Sequence, residues 1–513
     1  MKNKIIIILI FLSLQSISCK KFLELTPKDF ISPENYFTSE ASLNTALTGV
    51  YDILGRSELY SNTYMTIFSI SDEGYYARSA QSTGPQVYNY SSADPNVNDL
   101  WDALYQGIER ANVLLANVDK VNMDQDKKNN IIGQAKFLRA YYYFFLVQNW
   151  GSVPLKTSPS NSVNNVNTPG ADIKTLYDFI VKEMTDAEPL VQPLATIGFG
   201  GRVSQDAVRG ILARVCLKMA GQPLNDVSKY AEALKWAKAI VNPTSGSNIH
   251  SLNPDYANIF KNLAGDRYDI KECIWEGEQF GNRLTDYEGG RLGNVIGISC
   301  SDDVFGYSYG FINATPKLYR SYEAADKRRD WNVAPFSYKI TGGVVVDSTF
   351  FTASQINSRN AGKYRRSYEK VLPRNKNVTP TNFPILRYSD VLLMYAEAEN
   401  EVNGPTGLAK SLVKQVRDRA NASDITTAVS DKDELRNIIK DERFREFPFE
   451  CMRKNDLIRW GDFIIAMKEV ANDPTMGSYA GTAGKNVSDR DILLPIPISE
   501  LSLNKALTQN KGW

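Results

Sequence analysis

The stretch QAKFLRAYYYFFLVQNWG, residues Gln134–Gly151, decides the fold. Ala135, Leu138, Tyr142, Phe145, Leu146 and Asn149 recur at the spacing of one helix face, and Gly151 ends the run at a position that tolerates left-handed backbone. The aromatic stripe reads as core. GRVSQDAVRGILARVCLKMAG (Gly201–Gly221) follows the same plan: Ser204 is placed to cap, Asp206 sits in the first turn, and Ala207, Ile211, Ala213, Val215 and Leu217 precede the stop at Gly221. RYSDVLLMYAEAENEVNG (Arg387–Gly404) repeats it, stopping at Gly404.

A second amphipathic run follows each: IKTLYDFIVKEMTDAE (173–188), KYAEALKWAKAIV (229–241) and LAKSLVKQVRDRA (408–420). Helix pairs with small residues at the crossing are the unit of tetratricopeptide-type repeats, so the predicted fold class is mostly α with such pairs as scaffold. The third pair lies far downstream, so a regular solenoid is not expected. Residues 245–385 separate it from the others and are rich in Gly, Asn, Asp, Ser and Tyr, with KITGGVVVDS (Lys339–Ser348) reading as a short hairpin turned at Gly342 and Gly343. Long segments with structure of their own usually carry function. The chain divides into an N-terminal helical half (39–244), this loop-rich insertion (245–385) and a C-terminal half (386–513).

Composition narrows the chemistry. Lys+Arg of 59 against Asp+Glu of 58 in 513 residues leaves no broad positive field for nucleic acid. His250 is the only histidine, which argues against Ser-His-Asp, Cys-His and multi-histidine metal sites, and it reads as an ordinary loop residue. Aromatics make up 11%, with 27 tyrosines leading, and a flat ring carrying a hydroxyl suits sugar contact.

Lys2 and Lys4 precede the apolar run Ile5–Leu14, which is too short to span a bilayer and reads as the core of a signal over residues 1–18. The following "SISC" resembles the bacterial lipobox. Cys19 would then be the acylated first residue of the mature chain, and residues 19–38 a polar, proline-marked tether. Cys216, Cys273, Cys300 and Cys451 show no C-x-x-C spacing and read as buried free thiols.

Three motifs compete for the site. In KDERFREFPFECMRKND, Glu442, Glu446 and Glu450 fall four apart near Arg443, Arg453, Asp456 and Arg459; paired carboxylates can hydrolyse glycosides, but this pattern favours a salt-bridge network, with Pro448 bending the helix. GFGGRVS (Gly198–Ser204) lacks the rest of a phosphate loop and reads as a tight turn into a helix. The third is a pair of glycine-studded loops carrying rings beside polar groups. One holds Asp72, Glu73, Tyr75, Tyr76, Arg78, Tyr88, Asn89 and Tyr90; the other holds Asn282, Arg283, Tyr287, Arg291, Asp302, Asp303, Phe305, Tyr307 and Tyr309. These rings, with Asp72, Arg78, Asn89, Asn282, Arg283 and Arg291 beside them, are the expected ligand contacts, whereas Trp101 lies on a helix and reads as core. Asp302 and Asp303 could ligate calcium, but the full oxygen set is not readable, so no metal or cofactor is assigned.

Four motifs, FLRAYYYFFLVQNWGSVPL, GRVSQDAVRGILARVCLKMAG, FPILRYSDVLLMYAEAENEV with DERFREFPFECMRKNDLIRWG, and the closing LLPIPISELSLNKALTQNKGW, stand in order behind the lipobox. In this the chain resembles the SusD/RagB family of outer-membrane nutrient-binding lipoproteins from Cys19 to its end. It departs at Cys451, where the family often has Gly, and at Lys20 and Lys21, where an acidic residue often follows the lipidated cysteine. The resemblance implies a SusD-like helical fold whose irregular loops carry the ligand, a lipid anchor on the cell-surface side of the outer membrane, and no chemistry. It also implies a partner, a SusC-like TonB-dependent transporter to which captured oligosaccharide (peptide in some relatives) is handed. A surface glycosidase using Glu/Asp pairs and a helical-repeat envelope scaffold are the alternatives.

Overall fold

A computed structural model describes residues 33–160, 162, 166–244, 248–283, 289–477 and 479–513. The signal, Cys19, most of the tether and Tyr287 lie outside the described residues. The scaffold is a row of helices: α1 (Glu40–Gly55), α2 (Pro95–Asn117), α3 (Gln125–Trp150), α4 (Ile173–Ala187), α5 (Gln205–Ala220), α6 (Lys229–Val241), α7 (Tyr388–Asn403) and α8 (Gly407–Arg419). Side-chain oxygens cap several starts, Asp124 accepting from the Lys127 N–H at 3.0 Å, Asp172 from Thr175 at 2.9 Å and Ser204 from Ala207 at 3.1 Å. Each helix packs on the next from α1 to α8, and α6 meets α7 directly although residues 242–387 intervene. Uneven spacing in sequence therefore hides a continuous stack, interrupted in the chain by the insertion.

α3 is the centre of that stack. From Phe137 to Trp150 every residue is buried, so this C-terminal part of the helix has no wet face. Its three consecutive tyrosines place their hydroxyls on internal partners: Tyr141 on the Tyr60 hydroxyl at 2.6 Å, Tyr142 on the Val50 carbonyl at 2.6 Å and Tyr143 on the Lys156 carbonyl at 2.9 Å. Gly107 of α2 lies against Tyr142, whose ring would stand 2.6 Å from any added Cβ. The closing motif returns to this helix. Leu494 donates to the Asn149 carbonyl at 2.7 Å, and the Trp150 indole donates to Pro495 at 2.9 Å.

Six short strands among the described residues, β1 (Gly74–Tyr76), β2 (Cys273–Gly277), β3 (Ile312–Ala314), β4 (Phe336–Thr341), β5 (Val344–Phe350) and β6 (Phe383–Arg387), form the antiparallel pairs β1/β3, β2/β6 and β4/β5. β2 and β6 are buried throughout and close the insertion at its base, and β6 runs straight into α7. β4/β5 is the hairpin read from the sequence, with Gly342 and Gly343 at φ of 59° and 83°. Cys216, Cys273, Cys300 and Cys451 are buried free thiols. His250 is a loop residue but has partners: it is buried, with Nε2 3.7 Å from Asp206 and its ring stacked on Tyr388. Trp101 is core, at 1% exposure.

Helix α9 (Lys432–Glu446) stops one residue before Phe447-Pro448, so Glu450 is not on it. The three glutamates nevertheless converge on one buried lattice of charge. Glu442 meets Arg328 at 2.6 Å and Arg417 at 2.7 Å; Glu446 meets Arg328, Arg387 and Arg419 at 3.0, 2.9 and 2.6 Å; Glu450 meets Lys363 at 2.6 Å and Arg387 at 2.8 Å. Arg387 also holds Glu272 at 2.9 Å. Burial opposes ionisation of Glu446, but Arg419, Arg387 and Arg328 outweigh it and hold its carboxyl well below the ordinary range. Carboxylates enclosed this way have no path to a sugar, so the network reading of this motif holds and these three glutamates are not a hydrolytic pair.

Removing one partner of a buried pair leaves the others uncompensated, which costs about 3–5 kcal/mol. Arg387→Met is expected to lower stability by about that much in urea unfolding. Glu73 behaves oppositely. Burial pushes its carboxyl up to about 8 from 4.5, against the Phe449 N–H that donates to it at 3.0 Å, and its second oxygen has no partner among the described residues. The folded state keeps a proton that the unfolded chain has lost, so this contribution is complete below about pH 4.5 and disappears as pH rises through about 8. Glu73→Gln is therefore expected to flatten the fall of stability across that window by up to about 1.4 kcal/mol per pH unit, read as melting temperature or unfolding free energy against pH.

Candidate functional site

The two loops picked from the sequence meet because β1 and β3 pair, with Tyr76 opposite Ile312 and the Ala77 N–H donating to the Phe311 carbonyl at 2.7 Å. Side chains on an extended chain alternate, so Tyr75 turns inward and Tyr76 outward. The same alternation runs through Tyr307, Ser308, Tyr309, Gly310 and Phe311, where Ser308 is held inward by paired backbone hydrogen bonds with Cys300 at 2.9 Å. Tyr307, Tyr309 and Phe311 are left half-buried on the other side. Gly310 turns the chain at φ 55°, where a Cβ would stand 2.9 Å from Ser299.

The result is a ridge of four part-exposed rings in series. Tyr76 stacks on Phe311 at 5.5 Å, Phe311 on Tyr309 at 5.1 Å and 9°, and Tyr309 meets Tyr307 at 4.9 Å and 71°. A cation lies beside three of them. Lys376 Nζ is 4.5 Å from the Tyr307 centroid, the Arg291 guanidinium 5.7 Å from Tyr309, and that of Arg78 4.6 Å from Phe311. Burial raises the Tyr76 hydroxyl above its ordinary value, with Arg78 and Arg291 acting against it, so the phenol stays neutral and able to donate.

Asn294 fastens the ridge from below. Fully buried, it donates to the carbonyls of Tyr307 at 3.1 Å and Lys376 at 2.9 Å, accepts from Arg291 at 3.0 Å, and its own carbonyl accepts from the Tyr309 N–H at 2.8 Å. Arg366 adds a bond to the Tyr307 carbonyl at 2.6 Å while paired with Glu369. The rings are thus held in place without a ligand. Exposed Asn377, accepting from the Tyr309 hydroxyl at 3.0 Å, completes the rim.

Of the predicted residues, the structure brings together Tyr76, Arg78, Arg291, Tyr307 and Tyr309. Four others are corrected, because they are buried and committed internally. Asp72 is gripped by Arg453 at 2.8 Å and Lys317 at 3.0 Å; Tyr75 bonds the Asn357 carbonyl; Tyr88 bonds the Ile70 carbonyl at 2.9 Å; Asn282 bonds the Pro373 carbonyl at 2.8 Å. Others point elsewhere. Asn89 is exposed and bonds Ser82, Tyr90 rests on Trp513 at 4.7 Å, Phe305 rests on Tyr338 of the hairpin at 4.9 Å, and Arg283 lines a cavity of about 540 Å³ with Asp52, Arg202 and Glu278. Asp302 accepts from the Val304, Phe305 and Val345 N–H groups at 2.9, 3.0 and 2.8 Å, which pins the hairpin to the loop. Sequence reasoning missed Phe311, Lys376, Asn377 and Asn294. Phe311 shares the parity of Tyr307 and Tyr309, a signal that was available.

Family models described as "SusD family" and "Starch-binding associating with outer membrane" match residues 271–513 and 21–217. A SusD-like protein of Formosa agariphila is 27% identical, covering 99% of this chain and 98% of its own. Among solved structures, a SusD homolog of Bacteroides thetaiotaomicron superposes with a TM-score of 0.85 at 24% identity, covering 94% of this chain and 98% of that one. A laminarin-binding SusD-like protein superposes at 0.73 with 22% identity, covering 93% and 100%. Helix stack, closing motif and both matched halves agree: the chain belongs to the SusD family.

Proposed function

We propose that the protein is a cell-surface binding protein that captures glycan on the Tyr76–Phe311–Tyr309–Tyr307 ridge and hands it to a SusC-like TonB-dependent transporter, without breaking a bond. The ridge carries this reading. Part-exposed aromatic rings with phenol, amide and guanidinium donors at their rim offer a sugar apolar contact and hydroxyl partners together, on a preformed surface. Starch binding in the family description and laminarin binding by a structural relative support it. Acylation of Cys19 would supply the membrane attachment, in keeping with a family described as associating with the outer membrane. No described helix is long and apolar enough to cross a membrane.

Alanine at both Tyr307 and Tyr309 is expected to weaken binding of the best glycan in a polysaccharide panel, starch and laminarin included, by about tenfold, from two rings at about 0.5–1.5 kcal/mol each. Melting should stay nearly unchanged, because both rings are half-exposed. Tyr88→Ala is the contrasting control: it empties a buried site and should lower stability by about 3–5 kcal/mol instead. Undiminished affinity in the double variant would place the ligand elsewhere, and release of reducing ends from the panel would restore the glycosidase alternative. Cys19→Ala should free the protein from the membrane fraction, and affinity capture of the anchored form should bring down the transporter.

A further inference from the structure

The ridge carries more positive charge than a neutral sugar needs. Lys376, Arg291 and Arg78 stand beside Tyr307, Tyr309 and Phe311 in turn, one cation to each ring. Among the described residues none of the three makes a salt bridge. The Arg78 guanidinium donates to the carbonyls of Ala77, Tyr309 and Gly310, Arg291 donates to the Asn294 amide, and Lys376 is exposed with its ammonium against the Tyr307 ring. Most buried guanidinium groups do the reverse: those of Arg328, Arg387, Arg417, Arg443, Arg453 and Arg459 face carboxylates, while buried Arg359 donates to the Ala334 and Thr352 carbonyls. Among the described residues the nearby acids are occupied or peripheral. Glu369 is paired with Arg366, Asp302 accepts three backbone N–H groups, and Asp303 is exposed in the turn before the ridge.

A half-buried guanidinium with no counter-ion is a standing electrostatic deficit. Burial opposes the charged form of Arg291, and no carboxylate among the described residues offsets it. An anion delivered by the ligand would remove that deficit. Charges placed one per ring suit a polymer with an anionic group on successive units, because each ring can take an apolar sugar face while its neighbouring cation takes the charge. Resting on the binding role argued above, we infer that the glycan captured by this ridge is acidic, bearing sulfate esters or uronate carboxylates. Both groups offer the oxygen acceptors that guanidinium and ammonium donors match.

The test is titration of the intact mature protein with neutral (starch, laminarin), uronate (polygalacturonate, alginate) and sulfated (carrageenan, fucoidan) polysaccharides at several salt concentrations. At least one acidic polymer should bind about tenfold or more tightly than any neutral one. Its log affinity should fall with log salt at a slope of about −2 if three cations are neutralised as in a single-stranded polyanion. The uronate and sulfate arms separate the two sources. Lys376→Gln, at an exposed side chain, should leave melting unchanged, weaken binding several-fold and reduce the salt slope by about a third. Arg291→Gln should act in the same direction. Tight, salt-insensitive binding of a neutral glycan that is lost in the Tyr307/Tyr309 double variant would overturn the acidic ligand while keeping the binding role. Acidic binding untouched by Lys376→Gln and Arg291→Gln would also overturn it. No binding by any polymer would overturn the binding role and the inference together.

Discussion

Arg387 is the residue on which the architecture turns. It ends β6, precedes the first turn of α7, and makes ion pairs with Glu272, Glu446 and Glu450, so one guanidinium joins the base of the insertion, the helix stack and the turn after α9. Around it Arg328, Arg417, Arg419 and Lys363 extend the same lattice. Such a lattice is poorly suited to adding stability, since desolvation offsets much of its attraction, but it penalises any arrangement that leaves one member unpaired. It therefore fixes where the loops leave the scaffold. The β1/β3 pair, through which the ridge is assembled, is tied to the same region by the Arg453–Asp72 pair and by the Phe449 N–H on Glu73.

The helices were legible because their evidence is local. Periodicity, the cap at Ser204 and the stops at Gly151 and Gly404 all sit within a few residues of what they decide. The continuity of the stack was not, since the α6/α7 contact joins segments on either side of the insertion. Asp72 shows the same limit at the site. Beside Glu73 and two tyrosines it looked like a sugar ligand, yet its partner Arg453 lies in the C-terminal half and draws it inside. Tyr75 and Tyr76 were indistinguishable by composition and were separated only by the strand that alternates them. Asn294, in an unremarkable loop, owes its role to four hydrogen bonds made across the insertion.

The ridge and the scaffold answer to different requirements. The rings hang from short strands and turns outside the helix row, so their identity can change with little effect on α1 to α8, while Asn294 and Arg366 keep whatever stands there rigid. A site built this way loses little conformational entropy when it closes on a flexible polymer. The three cations beside it stand out because most interior arginines of the protein are paired with carboxylates.

The late arrival of α7 bears on how the chain is made. Until residues 388–403 emerge, α6 lacks the neighbour that covers its outer face, and α3 waits still longer for Leu494 and Pro495. A nascent chain in that state presents an unfinished apolar surface throughout synthesis of the insertion, which is the condition under which chaperones hold a polypeptide open. The delay also has a mechanical side: a stack that cannot finish early stays extended enough to be threaded through a narrow channel.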